Sequence, residues 1–262
     1  MKKMPVLFLG HGNPMIALED NELTNNLKYV GDEIINRFGK PKAILAISAH
    51  WHTRGSFVGG REYPKQIYDM YHFPKELYEV EYPVKGSIDL AKTVIEMADG
   101  RVFANNDWGI DHGVWSVLVH MFPEADIPIT QLSVNGEQSP EEAFEIGKKL
   151  SNLRDEGYLI IGSGNVVHNL KNKDQNSKSG FTPTKIFDDY IHQAILSQEV
   201  SDVVNYQDHY LANYAVPTIE HFYPLIYVLG AADDDEAVVF NKEYIMNTIS
   251  MTSYAFGCSC SR

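Results

Sequence analysis

The chain has 262 residues, 44% of them hydrophobic, and a formal net charge of −13 at pH 7. This length and apolar content are sufficient for a single α/β domain over residues 1–262 with a sizeable core. The acidic balance argues against a nucleic-acid or anionic-membrane partner, because either would require a basic surface patch.

Neither a secretory leader nor a membrane-spanning segment is predicted. The apolar run after the basic stretch 1–4 is too short for a signal peptide, and no window is long enough to cross a bilayer. Both cysteines, Cys258 and Cys260, fall in the last few residues. We therefore expect no disulfide framework, a frayed tail and a protein of the reducing cytoplasm.

The first predicted strand ends at a histidine. Residues 6–9 are all apolar, which is typical of a buried strand, and His11 follows between Gly10 and Gly12. Glycine on both sides allows a ligand to approach the backbone closely. A histidine at the carboxyl end of a buried strand lies where α/β sheets place their chemistry. We therefore predict a functional role for His11.

The second strand repeats this arrangement and leads into a long loop. Apolar residues 43–47 predict a strand, and small residues then lead to His50. Residues 53–83 are rich in Tyr, Gly and Pro, which predicts an irregular loop with a short strand near residues 57–59. A loop of this length usually lines or covers a functional site.

The rest of the chain alternates predicted helices and strands. Apolar residues at helical spacing predict helices over residues 21–37, 88–99, 114–121, 139–156 and 183–196. Apolar runs predict further strands over residues 127–134, 158–161, 238–240 and 249–256. Residues 171–180 are polar and predict a mobile surface loop. No internal repeat or linker divides the chain, so we expect one domain.

A third strand-then-histidine pattern follows the strand at residues 158–161. A Gly-Ser-Gly-Asn turn leads from this strand to His168. With His11 and His50, three apolar strands each end near a histidine, which predicts one metal site at the carboxyl ends of strands of one sheet. Imidazole ligands without cysteine suit Zn(II), Fe(II) or a related divalent ion rather than an iron–sulfur cluster.

Two further histidines are candidates for the same site. His112 is predicted to lie in a Gly-Ile-Asp-His-Gly loop, whereas His221 is adjacent to Glu220, with which it can instead form a surface pair. The other five lack comparable context, and we expect structural or surface roles for His52, His72, His120, His192 and His209.

Two other classes of site lack their sequence patterns. Ser163 lies directly between two glycines, which is not the Gly-x-Ser-x-Gly context of a nucleophilic serine. The sequence has no Walker phosphate loop and no Gly-x-Gly-x-x-Gly after a strand, so no nucleotide cofactor is expected.

Six motifs, in order along nearly the whole chain, match one known family. They are Gly10-His11-Gly12-Asn13-Pro14-Met15, Ser48-Ala49-His50-Trp51, Trp108-Gly109-Ile110-Asp111-His112-Gly113, Gly162-Ser163-Gly164-Asn165-Val166-Val167-His168-Asn169, Pro217-Thr218-Ile219-Glu220-His221-Phe222-Tyr223-Pro224-Leu225 and Tyr227-Val228-Leu229-Gly230-Ala231. On these motifs the chain resembles the class III extradiol ring-cleavage dioxygenases, the LigB superfamily, and within it the 4,5-DOPA extradiol dioxygenase group.

The resemblance implies a fold and a set of site residues. The fold is α/β, with a central, mostly parallel sheet flanked by helices and one divalent metal at the carboxyl ends of strands. By motif, His11, His50 and His221 correspond to metal ligands. His168 corresponds to a ligand or to the acid–base group beside the metal. His112 corresponds to a second acid–base or substrate-orienting group.

The resemblance also implies the reaction, extradiol cleavage of a catechol such as DOPA by O2. Fe(II) is the metal expected for activity, and Zn(II) is expected as the isolated form because nitrogen ligands hold it more tightly. If Glu220 faces the metal instead of His221, the site becomes the facial triad of non-haem Fe(II) oxygenases.

Two alternatives from other classes stay open at this point. In a zinc hydrolase the same histidines would serve to activate a bound water. A non-enzymatic metal-binding protein can also use this fold, since a fold does not fix a function. The sequence does not predict the oligomeric state.

Overall fold

An eight-stranded sheet forms the centre of the computed structural model, which describes residues 2–171, 173–174 and 176–260. In chain order the strands are β1 Val6–Gly10, β2 Ile44–Thr53, β3 Ser56–Val58, β4 Val102–Ala104, β5 Ile129–Asn135, β6 Leu159–Gly164, β7 Ala237–Phe240, β8 Tyr244–Ile245, β9 Ile249–Ser250 and β10 Ser253–Phe256. The sheet order is β4-β3-β5-β2-β6-β1-β10-β7, and β8 pairs separately with β9.

The four central strands of this sheet are parallel. β1 pairs with β6, β6 with β2 and β2 with β5, all in parallel register, and β3 is parallel to β4. Antiparallel pairs join β3 to β5 and join β10 to both β1 and β7. The carboxyl ends of β1, β6 and β2 therefore lie side by side. This topology confirms the predicted α/β fold with a mostly parallel sheet.

Helices cover both faces of the sheet. They are α1 Glu22–Phe38, α2 Ile88–Met97, α3 His112–Met121, α4 Pro140–Leu150, α5 Thr182–Leu196, α6 Val200–Val204, α7 Ala212–Ala215 and α8 Tyr223–Ala232. On one face α1 and α3 pack with Leu7 and Leu9, and on the other α2, α4, α5 and α8 pack with Phe8. β1 contributes to both cores because successive side chains of a strand point to opposite faces.

The predicted elements differ from the structure at two candidate site residues. β2 continues beyond its apolar run, with a register shift against β5 between Ser48 and His52, so His50 lies within the strand rather than after it. His112 is the first residue of α3 and not a loop residue, because Asp111 is already the N-cap of that helix. Regular secondary structure therefore fixes the backbone of both histidines.

The strand predicted over residues 249–256 is divided in two. The backbone N–H of Met251 donates to the Glu243 carbonyl in continuation of the β8–β9 pairing, and the Ser250 hydroxyl accepts from the backbone N–H of Thr252. β9 ends at Ser250, and β10 begins at Ser253, after two intervening residues. The division lets β9 pair with β8 while β10 joins the main sheet.

The prediction of a frayed tail at the C-terminal cysteines was wrong. Cys258 and Cys260 form a disulfide bond, and Cys260 is buried against the core on the α1 face, so this stretch is not frayed. The bond links two residues of one turn rather than separate elements. Within the predicted surface loop 171–180, Asn172 and Gln175 lie outside the described residues.

None of the helices in the described part of the chain combines the length and apolar character that a bilayer crossing requires. The cytoplasmic location expected from the cysteine content stays a prediction.

Candidate metal centre

Five histidine side chains meet at the edge of the sheet where β1, β2 and β6 end. The imidazole centroid of His11 lies 5.0 Å from that of His50 and 5.3 Å from that of His221. The centroids of His50 and His112 are 3.9 Å apart, and those of His168 and His221 are 3.6 Å apart in a stacked pair. The structure thus brings all five predicted site histidines into one cluster.

His11 is fully buried and held through one ring nitrogen. Its Nδ1 lies 3.0 Å from the hydroxyl oxygen of Ser163. That hydroxyl donates its own proton to the Gly113 carbonyl, so it accepts from the imidazole. This network assigns the ring proton of His11 to Nδ1 and leaves the Nε2 lone pair facing the other histidines.

His50 and His112 share a carboxylate. Nδ1 of His50 lies 3.0 Å from Oδ2 of Asp69, and Nδ1 of His112 lies 2.9 Å from Oδ1 of the same residue. A carboxylate accepts hydrogen bonds, so both rings carry their proton on Nδ1. Asp69 comes from the long irregular segment that the sequence placed near the site, although the residue itself was not predicted.

His221 is oriented in the same way by its neighbour in sequence. Its Nδ1 lies 3.3 Å from Oε1 of Glu220, which also accepts from the Thr218 hydroxyl at 2.7 Å. The surface pair considered from the sequence is therefore present as a contact, but His221 itself is buried. The stacked ring of His168 makes no hydrogen bond within the described part of the chain, and its backbone N–H donates to the Ala215 carbonyl.

Burial keeps most of these imidazoles neutral. Desolvation, reinforced by the neighbouring histidines, lowers the pKa of His11 and His221 well below the usual range, and desolvation lowers the pKa of His168 to about 4. Burial also acts to lower the pKa of His50, but its hydrogen bond to Asp69 and the charge of nearby carboxylates outweigh this effect, so the pKa is raised. Neutral imidazoles are the form that ligates metals.

The facing nitrogens of His11 and His50 fit a bound cation. Their Nε2 atoms lie 3.1 Å apart, and both rings carry their protons on Nδ1. Two lone pairs at this separation repel unless a positive species lies between or beside them. A proton or a divalent ion with nitrogen affinity would relieve that repulsion, and imidazole-rich sites suit Zn(II) and Fe(II).

Two groups of three side chains could each hold a metal ion. The first group is His11, His50 and His112, and the second is His168, Glu220 and His221. Within each group, the potential ligand atoms all lie within 4.8 Å of one another. The predicted ligands His11 and His50 are therefore in the first group, and His168 and His221 are in the second. The groups are neighbours, because His221 also lies 5.2 Å from His50 between ring centroids.

The remaining five histidines lie outside both groups in the described part of the chain. Nε2 of His120 is 2.8 Å from the Ile16 carbonyl, and Nδ1 of His192 is 3.4 Å from the Tyr254 hydroxyl. The ring of His209 stacks on Tyr190, and His52 and His72 are exposed.

The sequence predicted the histidines of the site but not the side chains that orient them. Ser163 was considered only as a nucleophile, yet it orients His11. Asp69 is 43 residues from His112 and follows no spacing pattern relative to it. The only indication in the sequence was the length of the loop that contains Asp69, which predicted that this loop lines the site.

Comparisons with known proteins point to one family. Residues 5–257 match the family described as the catalytic LigB subunit of aromatic ring-opening dioxygenase. A protein of Escherichia coli (strain K12) named 4,5-DOPA dioxygenase extradiol is 42% identical over 262 residues, covering 97% of this chain and 95% of the relative. A protein of the same name from Beta vulgaris is 36% identical over 258 residues, covering 95% of each.

A solved structure shares the fold. The crystal structure of an uncharacterized protein from Escherichia coli K12 aligns with a TM-score of 0.83 at 38% sequence identity, covering 97% of this chain and 100% of that chain. The similarity in sequence and in structure therefore extends over nearly the whole chain.

Proposed function

We propose that this chain, which belongs to the LigB family of aromatic ring-opening dioxygenases, opens a catechol ring beside its two hydroxyl groups with O2 and one divalent metal. The observation that carries the proposal is the orientation of three imidazoles, of which those of His11 and His221 are buried. Acceptors at Nδ1 hold His11, His50 and His221 and turn each Nε2 away from those acceptors, which is the arrangement of metal-ligating histidines.

We assign His11, His50 and His221 as metal ligands. His168 stacks on His221 and is either a fourth ligand or the base beside the metal. Fe(II), when bound, would supply the redox chemistry that couples the catechol to O2, whereas Zn(II) would occupy the site without redox activity. Glu220 serves in this assignment as the acceptor that orients His221 rather than as a ligand.

We propose that the imidazoles that are not metal ligands transfer protons. The ring of His168 lies beside His221 and that of His112 lies beside His50, and in this proposal the catechol hydroxyls lie next to both. A neutral imidazole can take a proton from a hydroxyl and return it when the ring opens. We propose His168 as the principal base and His112 as the group that orients the substrate.

The names of the curated relatives support DOPA as a substrate, because they are called 4,5-DOPA dioxygenase extradiol. Cleavage between positions 4 and 5 would yield a seco-DOPA semialdehyde. We also propose that residues 1–262 form one catalytic domain, since both hydrophobic cores lie on the same sheet.

The test is O2 uptake by protein reconstituted anaerobically with Fe(II), on a panel of catechols that includes DOPA. We expect O2 consumption with a yellow semialdehyde product in the wild type, and loss of both in His11→Ala and His50→Ala. His72→Asn is the matched control, because it removes an exposed imidazole at a positive φ that asparagine tolerates. Activity with Zn(II) and no O2 uptake would instead identify a hydrolase.

A further inference from the structure

A single carboxylate controls two imidazoles of the histidine cluster. Asp69 is mostly buried, with 16% of its side chain exposed, and each of its oxygens accepts from a different ring. Oδ2 accepts from Nδ1 of His50 at 3.0 Å, and Oδ1 accepts from Nδ1 of His112 at 2.9 Å. Both rings therefore carry a proton on Nδ1 and turn Nε2 toward the cluster.

The carboxylate is itself fixed by the start of α3. Oδ1 of Asp69 also accepts from the backbone N–H of His112 at 3.0 Å. The N-cap residue Asp111 makes no capping bond, because its carboxylate accepts from other side chains, namely Ser48, Trp108 and Gln131. Asp69 thus supplies the cap of the helix from a distant loop, and the positive end of the helix dipole favours its negative charge.

We infer that Asp69 is a positioning residue that sets the tautomer and ring orientation of both His50 and His112. The inference rests on the proposed function, in which His50 is a metal ligand and His112 orients the substrate. One side chain would thereby align a ligand with the group that acts on the substrate. Carboxylates that orient metal-binding histidines typically change metal affinity by about 10–100-fold.

The substitution Asp69→Asn should change the tautomer of one ring and leave that of the other unchanged. An amide offers one acceptor oxygen and one NH2 donor, so it can satisfy only one side of the present arrangement. Two donors from His112 meet at Oδ1, whereas only the His50 ring meets Oδ2. The amide oxygen therefore stays with His112, and the NH2 group faces Nδ1 of His50. That ring must move its proton to Nε2, the nitrogen it needs for the metal.

The test measures ring tautomers by NMR of isotope-labelled histidine in the metal-free protein, and Zn(II) affinity by chelator competition. In the wild type we expect Nδ1–H for both His50 and His112. In Asp69→Asn we expect His50 to shift to Nε2–H while His112 does not, with Zn(II) affinity lower by about 10–100-fold. Glu76→Gln is the control, since it neutralises an exposed carboxylate of the same segment and should change neither quantity.

Several results would overturn the inference. One is a wild-type His50 or His112 ring that carries its proton on Nε2 and none on Nδ1, a measurement that needs no variant to fold. Another is Zn(II) affinity in Asp69→Asn within twofold of the wild type, with or without a tautomer change. Failure of the proposed function is seen separately: a wild type that holds Fe(II) but opens no catechol would refute the dioxygenase, while the tautomers and Zn(II) affinity would still report on Asp69.

Discussion

At the scale of single residues, the site depends on which nitrogen of each imidazole is free. Ser163, Asp69 and Glu220 each accept a hydrogen bond from Nδ1 of a different proposed ligand. All three acceptors therefore direct Nε2 toward the centre of the cluster. Such partners matter for affinity because they fix the tautomer and limit rotation of the ring before the metal arrives.

Removing the partner of His11 should weaken metal binding without unfolding the protein. In Ser163→Ala, His11 loses its acceptor, so we expect Zn(II) affinity to fall about 10-fold, measured by chelator competition. Ser116→Ala is the control, because this buried hydroxyl on α3 has no hydrogen-bond partner among the described residues and its loss should be neutral. Equal affinities in the two variants would contradict the assigned role of Ser163.

The histidines were predictable from the sequence, but their partners were not. His11 and His168 follow apolar strands, which is a local pattern. Ser163 and Asp69 reach their imidazoles across 152 and 43 residues of chain, and no local period encodes such contacts. The same limitation explains why the family resemblance was needed to raise His221 above a surface pair with Glu220.

At the scale of elements, the end of β6 lies directly against the segment that precedes α8. The backbone N–H of Asn165 donates to the His221 carbonyl at 2.8 Å. A Cβ on Gly164 would lie 2.1 Å from that carbonyl oxygen, so only glycine allows the two backbones to approach this closely. This contact places His221 beside the carboxyl ends of the central strands.

A methyl group at this contact should displace His221. We expect Gly164→Ala to lower the free energy of unfolding by about 1–3 kcal/mol, as overpacking of a core does, and to weaken Zn(II) binding. Gly59→Ala is the matched control, since the nearest atom to its Cβ would be 3.9 Å away. Chemical denaturation and chelator competition measure the two effects, and wild-type Zn(II) affinity in Gly164→Ala would contradict this account.

The β8–β9 pair is attached to α5 through one buried carboxylate. Asp188 accepts from the hydroxyls of Tyr244 at 3.0 Å, Ser250 at 2.6 Å and Thr252 at 2.9 Å. β9 also supports the site, because Ile249 forms a backbone bridge with His168. The attachment therefore fixes the segment behind the proposed base.

Loss of this carboxylate should be costly for stability. Asp188→Ala leaves three hydroxyls without their acceptor, and we expect the free energy of unfolding to fall by about 3 kcal/mol. The neighbouring Asp189→Ala removes only an exposed pair with Lys242 and should cost less than about 1 kcal/mol. Urea denaturation of both variants tests this prediction, and a similar cost for the two would refute it.

At the scale of the whole molecule, the fold concentrates five histidines at one edge of an acidic protein. The alternation of strands and helices and the absence of a linker indicated this architecture from the sequence. The sequence could not indicate the split between β9 and β10 or the extension of β2 through His50, since both depend on pairing between distant segments. Concentrated buried imidazoles make the metal-free protein sensitive to acid.

The metal-free protein should lose stability as the pH falls. The pKa of His168 is about 4 in the folded protein, against an unperturbed 6.5. The unfolded chain therefore binds more protons between these values, so the free energy of unfolding is highest above pH 6.5 and falls as the pH approaches 4. Urea denaturation should show this fall, with a smaller slope in His168→Gln. A slope that is unchanged in His168→Gln would contradict the account.

A single turnover of the Fe(II)-loaded protein with DOPA and isotope-labelled O2 tests the proposed dioxygenase activity most directly. We expect one O2 to be consumed for each ring opened, with label in the new carboxylate of the product. Label derived from water, or no ring opening by protein shown to hold one Fe(II) per chain, would contradict the assignment of this histidine cluster as a dioxygenase centre.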